Sequence, residues 1–188
     1  MKKHASGFTR LDEPGTLAMI WHQSSIVYQE AGQPEAAEDA YRKTLAIDVR
    51  LGNVARQART LGQLGNLYDD ILNRPEEAVA FYRQAADKYV EIGDLANEGR
   101  TSGNLGDTLR KLCRFDEARQ ESRRAIECDE QFGHAALPWR SWQVLADIET
   151  DAGNPAATEA KRKAIECYPP TGVTVARTTA PMAASASP

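Results

Sequence analysis

Two segments, RTLGQLGNLYDD from Arg59 to Asp70 and RTSGNLGDTLRK from Arg100 to Lys111, carry one polar pattern twice, 41 residues apart. Each opens with an arginine, places an amide four residues on (Gln63, Asn104), then a further polar group three beyond that (Asn66, Asp107). Spacings of i, i+4, i+7 and i+11 put these groups, with Asp70 and Lys111, on one face of a helix. Their chemistry is recognition. A guanidinium is a planar fork matched to a carboxylate. A side-chain amide both donates and accepts, which suits the backbone of an extended peptide. Lys111 adds a point charge to the same line.

Residue types that could do catalysis are present without the neighbours they need. Cys113, Cys128 and Cys167 are an odd trio lacking metal-ligand or redox spacing, so they read as free reduced thiols. His4, His22 and His134 form no pair with metal-binding spacing, and the glycines of GQLGN and GNLGD lie within helical patterns, not in a phosphate loop. Arg119, Arg123 and Arg124, near Arg110 and Arg114, are interleaved with Glu117, Glu121 and Glu127, the pattern of a solvated, ion-paired face. No enzyme, cofactor or metal is expected. A net charge of −4 and a pI of about 5.5 give no bulk attraction to nucleic acid or an anionic membrane. Leu17 to Trp21 is too short an apolar stretch to span a bilayer. Met1-Lys2-Lys3 opens as a signal peptide does, but no apolar run follows, so a cytoplasmic location is expected.

The echo extends outwards into four copies. A small residue recurs as Ala37, Ala78, Ala118 and Ala157, and ahead of it stand Ser24-Ser25, Leu64-Gly65, Leu105-Gly106 and Val144-Leu145. Each copy reads as two helices. Leu61, Leu64, Tyr68 and Ile71 form an apolar stripe at three- and four-residue spacing. Pro34 and Pro75 stand where a first helical residue would, and Gly52, Gly93 and Gly133 end second helices. Gly65, Gly106 and Ser25 lack bulk where a paired helix must cross, with Ala78 and Ala118 as the matching small surface.

This pattern resembles the tetratricopeptide signature, W-x2-L-G-x2-Y followed by A-x3-F. The residues that carry it are Trp21, Ser24-Ser25, Tyr28, Ala37 and Tyr41, then Leu61, Leu64-Gly65, Tyr68, Ala78 and Tyr82. Only the fourth copy has the closing proline, Pro169, so the repeat is longer than usual. Gly93-Asp94, Glu98 and Asn104-Leu105-Gly106 resemble the long repeats of kinesin light chains and Pins-type adaptors. The resemblance implies an all-α fold, an α-solenoid of four helix pairs in a right-handed superhelix. Repeats fall at about 14–52, 53–93, 94–133 and 134–169, with an N-terminal extension over 1–13 and a disordered Ala/Thr/Ser/Pro-rich tail over 170–188.

In such a superhelix the first helices line a concave groove. The polar stripe would then face the hollow, with Gln23 and Gln143 extending the amide row and Met19 and Trp139 flanking it with apolar surface. Asn104 coincides with the asparagine that lines the groove in the resembling families. The resulting expectation is an adaptor or scaffold that holds a peptide segment of a protein partner, an acidic one by virtue of Arg59 and Arg100. The rival is a regulatory or oligomerisation module that packs against itself, as a homo-oligomer through its array ends, or against another domain.

Overall fold

Eight α-helices run through the residues described by the computed structural model, 13–132 and 138–168. They are α1 (Pro14–Glu30), α2 (Pro34–Arg50), α3 (Val54–Asn66), α4 (Pro75–Ile92), α5 (Leu95–Lys111), α6 (Phe115–Phe132), α7 (Pro138–Asp151) and α8 (Ala157–Cys167), with a π-helical turn, Leu67–Ile71, continuing α3. Four expectations lie outside the described residues: the N-terminal extension up to residue 12, the Gly133 stop, the closing Pro169 and the tail from 170.

Local chemistry sets the boundaries. Pro34 and Pro75 begin α2 and α4, their fixed φ suited to a first turn whose N–H groups lack helical partners. Asn53 and Asp94 cap α3 and α5 by accepting hydrogen bonds from the backbone N–H of Arg56 and Asn97, each at 3.1 Å. Gly93 closes α4 at φ 69°. The turn that leaves each first helix also needs a left-handed residue, and Gly32, Asn73, Cys113 and Gly153 supply it. Asn73 and Cys113 hold φ 51° and 57° without glycine's freedom.

Each helix pairs with the next, α1 with α2 through α7 with α8, and the pairs stack as α2 on α3, α4 on α5 and α6 on α7. The fold is an α-solenoid. One core runs through the stack, built on Tyr41, Leu64, Tyr68, Tyr82, Leu105 and Ile148. The glycines allow the close approach, with the Tyr82 ring nearest to Gly65, and Ser122 and the Ala118 carbonyl nearest to Gly106. A Cβ on Gly65 would stand 2.5 Å from that ring, and one on Gly106 would stand 2.7 Å from Ser122 Oγ.

The π-helical turn absorbs an irregularity in the repeat. From Arg59 to Ala78 there are 19 steps, against 18 from Met19 to Ala37 and from Arg100 to Ala118. A π turn widens the hydrogen-bonded loop by one residue, here with Leu72 N–H donating to Leu67 O at 2.9 Å. The second copy thus keeps both helices in phase with its neighbours. The same turn buries Tyr68 in an inter-repeat lock. Its hydroxyl donates to Glu38 Oε1 at 2.7 Å and accepts from Arg42 at 3.0 Å.

Candidate groove and its two cavities

The polar residues singled out by spacing separate into three groups: those that line cavities, those that bond to the fold, and those drawn elsewhere. Met19, Gln23 and Arg59 line a cavity of about 270 Å³ between α1, α2 and α3, together with His22, Asp48 and Arg56. Arg100 and Asn104 line a second, of about 350 Å³, between α5, α6 and α7, with Asp129, Phe132, Arg140 and Ser141. The two occupy the same place in copies one and three. In the copy between, Tyr89 takes the α4 position that matches Asp48 and Asp129, and it is buried.

The first cavity has a charged floor. Asp48 is fully buried and lies 3.0 Å from Arg56 Nε. It is paired by charge, since neither carboxylate oxygen accepts an aligned hydrogen bond. Burial raises its pKa, opposed by Arg56 and Arg59. His22 is half-buried beside it and edge-on to Tyr41. Burial, then the charges of Arg59 and Arg56, push its pKa below the ordinary 6.5, which keeps the imidazole neutral. Arg59 is exposed on the rim and makes no hydrogen bond or ion pair among the described residues. The cavity therefore carries one positive charge more than Asp48 neutralises. In the second cavity Arg100 donates to Asn97 Oδ1 at 2.9 Å, and Asp129 accepts from Ser141 at 2.6 Å.

The remaining candidates are committed or displaced. Lys111 is no spare charge, because its ammonium pairs with Asp69 at 2.8 Å and with Asp107 at 3.5 Å. Asn66 Oδ1 accepts from Tyr82 Oη at 2.7 Å and from Asn104 Nδ2 at 3.2 Å, so this amide pair ties α3 to α5. Gln143 donates to Asp147 within α7. Trp139 packs edge-on against Tyr168, 5.1 Å between ring centroids, and does not line the second cavity. Gln63 is half-buried and unbonded among the described residues. The extra residue in the π turn makes Asp69, not Asp70, the acid that reaches α5, where Thr108 Oγ1 also donates to it at 3.0 Å.

Spacing alone missed Asp48, Arg56 and Arg140. A signal existed: an acid stands in the otherwise apolar line Tyr41, Leu45, Asp48 of a second helix. Of the arginine patch, Arg110, Arg114, Arg119 and Arg124 are ion-paired, partly with partners from other helices. Among the described residues Arg123 has no ion pair, and of the interleaved acids only Glu117 takes part. Arg119 reaches the buried Glu149, and Arg124 reaches Glu98. Cys128 is buried against Gly99, and burial next to Glu98 pushes its thiol up to about 12, the opposite of an activated nucleophile. Among the described residues, no group of three or more His, Cys, Asp or Glu is placed to hold a metal ion, and no helix is long and apolar enough to cross a membrane.

Residues 16–89, which span α1 to α4, match the family model of the tetratricopeptide repeat. The fold is similar to the crystal structure of BtubC (BKLC) from P. vanneervenii, with a TM-score of 0.75 at 18% identity over 95% of this chain and 74% of that one. It is also similar to the crystal structure of the nearly identical TPR-like repeats of a Podosopora anserina protein described as a putative kinesin light chain, with a TM-score of 0.66 at 16% identity over 82% of this chain and 76% of that one. No curated protein matches the sequence significantly.

Proposed function

This chain is built of tetratricopeptide repeats, which generally mediate protein–protein interaction on a non-catalytic scaffold, and from that premise we propose that it is an adaptor that holds an acidic peptide segment of a partner along its α1–α3–α5–α7 face. One observation carries the reading. Arg59 stands uncommitted on the rim of the first of two cavities that each hold an aspartate with two arginines, and its own cavity holds a positive charge that Asp48 does not cancel. Gln23 and Gln63 lie near it with amides free to bond a peptide backbone. Tyr89 fills the floor between the cavities, so the peptide crosses a closed middle and sends side chains down at either end.

One charged hydrogen bond contributes about 1.5–3 kcal/mol, so Arg59 and Arg100 together set about two to four decades of affinity. Arg59 carries the larger share, because Arg100 is already bonded to Asn97. The test is affinity capture from the native extract, followed by titration of the captured partner's acidic segments. Arg59→Ala with Arg100→Ala removes binding while helicity stays unchanged. Lys111→Ala leaves binding intact, because that ammonium is already neutralised. Equal capture by the double variant and the wild type defeats the proposal. A second reading, self-association through the array ends, is favoured by the apolar outer face of α1.

A further inference from the structure

The two ends of the array are the two halves of one junction. At each packed junction a second helix lies against the next first helix, and the repeat register says which positions it covers. In α3 and α5 these include Thr60 and Thr101, Leu64 and Leu105, Leu67 and Thr108, all buried. The matching positions of α1 are Ile20, Ser24 and Val27, preceded by Leu17 at the position of Gln57 and Glu98. No described residue covers them. Ile20 is 43% exposed and Val27 61%, where Thr60 is 1% and Leu67 0%. The open face carries Leu17 and Ile20 where α3 and α5 use Gln57 and Glu98, Thr60 and Thr101, and Val27 where they use Leu67 and Thr108, while Ser24 replaces Leu64 and Leu105. A residue destined for water is not selected this way; single exposed apolar groups are ordinary, but a stripe in register is an interaction surface.

The opposite end mirrors this. Ala160 and Ala164 of α8 are buried, which sets its register to that of α2, α4 and α6. Ile165 then takes the position of Ala86 and Ile126, both buried, Ile126 in one cluster with Leu145 and Ala146 of α7, yet it is 75% exposed, and Tyr168 just beyond the helix is 49% exposed. From these two faces we infer that a second copy of this chain docks head to tail, α8 of one on α1 of the other, repeating the internal junction between molecules. The α6–α7 contact provides the register check. It sets Arg119 against Glu149 and Asp129 against Ser141. Carried to the ends, the same register sets Thr158 against Gln29, a pair that does not oppose like charges, while Tyr168 lies just past the end of α8 and packs on Trp139. Lys161 falls where Tyr41, Tyr82 and Ser122 stand, and its stem can lie along the apolar stripe while the ammonium reaches water. Such a contact joins unlike faces, so it does not stop at a dimer.

Sedimentation of the full chain over a range of concentrations tests this, with Ile20→Lys to block the head and Ile165→Lys to block the tail. Both positions are exposed in the monomer, and circular dichroism confirms that each variant folds. The wild type is expected to grow past dimer as concentration rises. Each variant alone stays monomeric, and an equimolar mixture gives dimers and nothing larger, because one free tail meets one free head. A wild type that is monomeric throughout overturns the inference. So does a tail-blocked variant that still dimerises, which would mean head-to-head packing, or a mixture that stays monomeric.

Discussion

Two glycines three residues apart in α3 should respond to alanine with opposite sign. A Cβ on Gly62 meets nothing within 4 Å, whereas one on Gly65 would sit 2.5 Å from the Tyr82 ring. That ring cannot simply swing away: Tyr82 is 2% exposed and its hydroxyl is tied to Asn66 Oδ1. Alanine in a helix interior gains about 1 kcal/mol over glycine, and at Gly62 this gain stands alone. At Gly65 overpacking costs about 1–3 kcal/mol, and loosening the Tyr82 hydroxyl costs about 1 more. The expected net is a loss of about 1–3 kcal/mol for Gly65→Ala against a gain of about 1 for Gly62→Ala. For a chain of this size each kcal/mol moves Tm by about 2–4 °C, well within reach of thermal denaturation followed at 222 nm. Should Gly65→Ala melt at or above Gly62→Ala, the account of why helix pairs nest here is wrong. Asn66→Ala would add a second reading, since freeing the Tyr82 hydroxyl should lessen the penalty at Gly65.

Cys113→Gly is expected to stabilise the array by about 1 kcal/mol in urea denaturation, because a left-handed cysteine at φ 57° gives way to the residue that adopts that φ without strain. His22→Gln should flatten the dependence of stability on pH. The folded imidazole resists protonation while the unfolded one takes a proton near 6.5, so the wild type loses stability as pH falls through 6.5 towards the lowered folded value. Urea midpoints at pH 7.5 and about 5.5 measure this. The window is separate from that of Glu38, where burial is outweighed by hydrogen bonds from Tyr68 and Arg42 and by the Arg42 charge, and from that of Glu117, held down by its hydrogen bond from Arg114; both pKa values lie below the usual 4.5. An unchanged slope in the variant would show that His22 does not carry the effect.

The helices and their stacking were legible from the sequence because both follow from short-range rules. Apolar spacing, Pro34 and Pro75 as starters, Gly52 and Gly93 as terminators and the recurring Ala37, Ala78 and Ala118 each act within a few residues of themselves. The candidate site was legible only as a face. Arg59, Gln23 and Asn104 line cavities that spacing did not foresee, and spacing could not say which side chains remain available. Lys111 and Asn66 share that face and are taken up by Asp69 and Tyr82, partners that fall within reach only after the chain has folded. One extra residue in the second copy decided the identity of the acid at that contact. It enters as a π turn, rotates the helix beyond Asn66, and exchanges Asp70 for Asp69.

What the sequence alone determined, then, is periodic: which residues are helical, which face each helix buries, and how often the unit repeats. What only the tertiary structure decided is pairing across units: the Asp48 floor beneath Arg56 and Arg59, the Tyr89 plug between cavities, and the unmatched faces of α1 and α8. The physical reason is range. Helix propensity and amphipathicity act over one turn, whereas charge pairing and burial depend on which turns of different helices are pressed together, and that is a property of the packed stack.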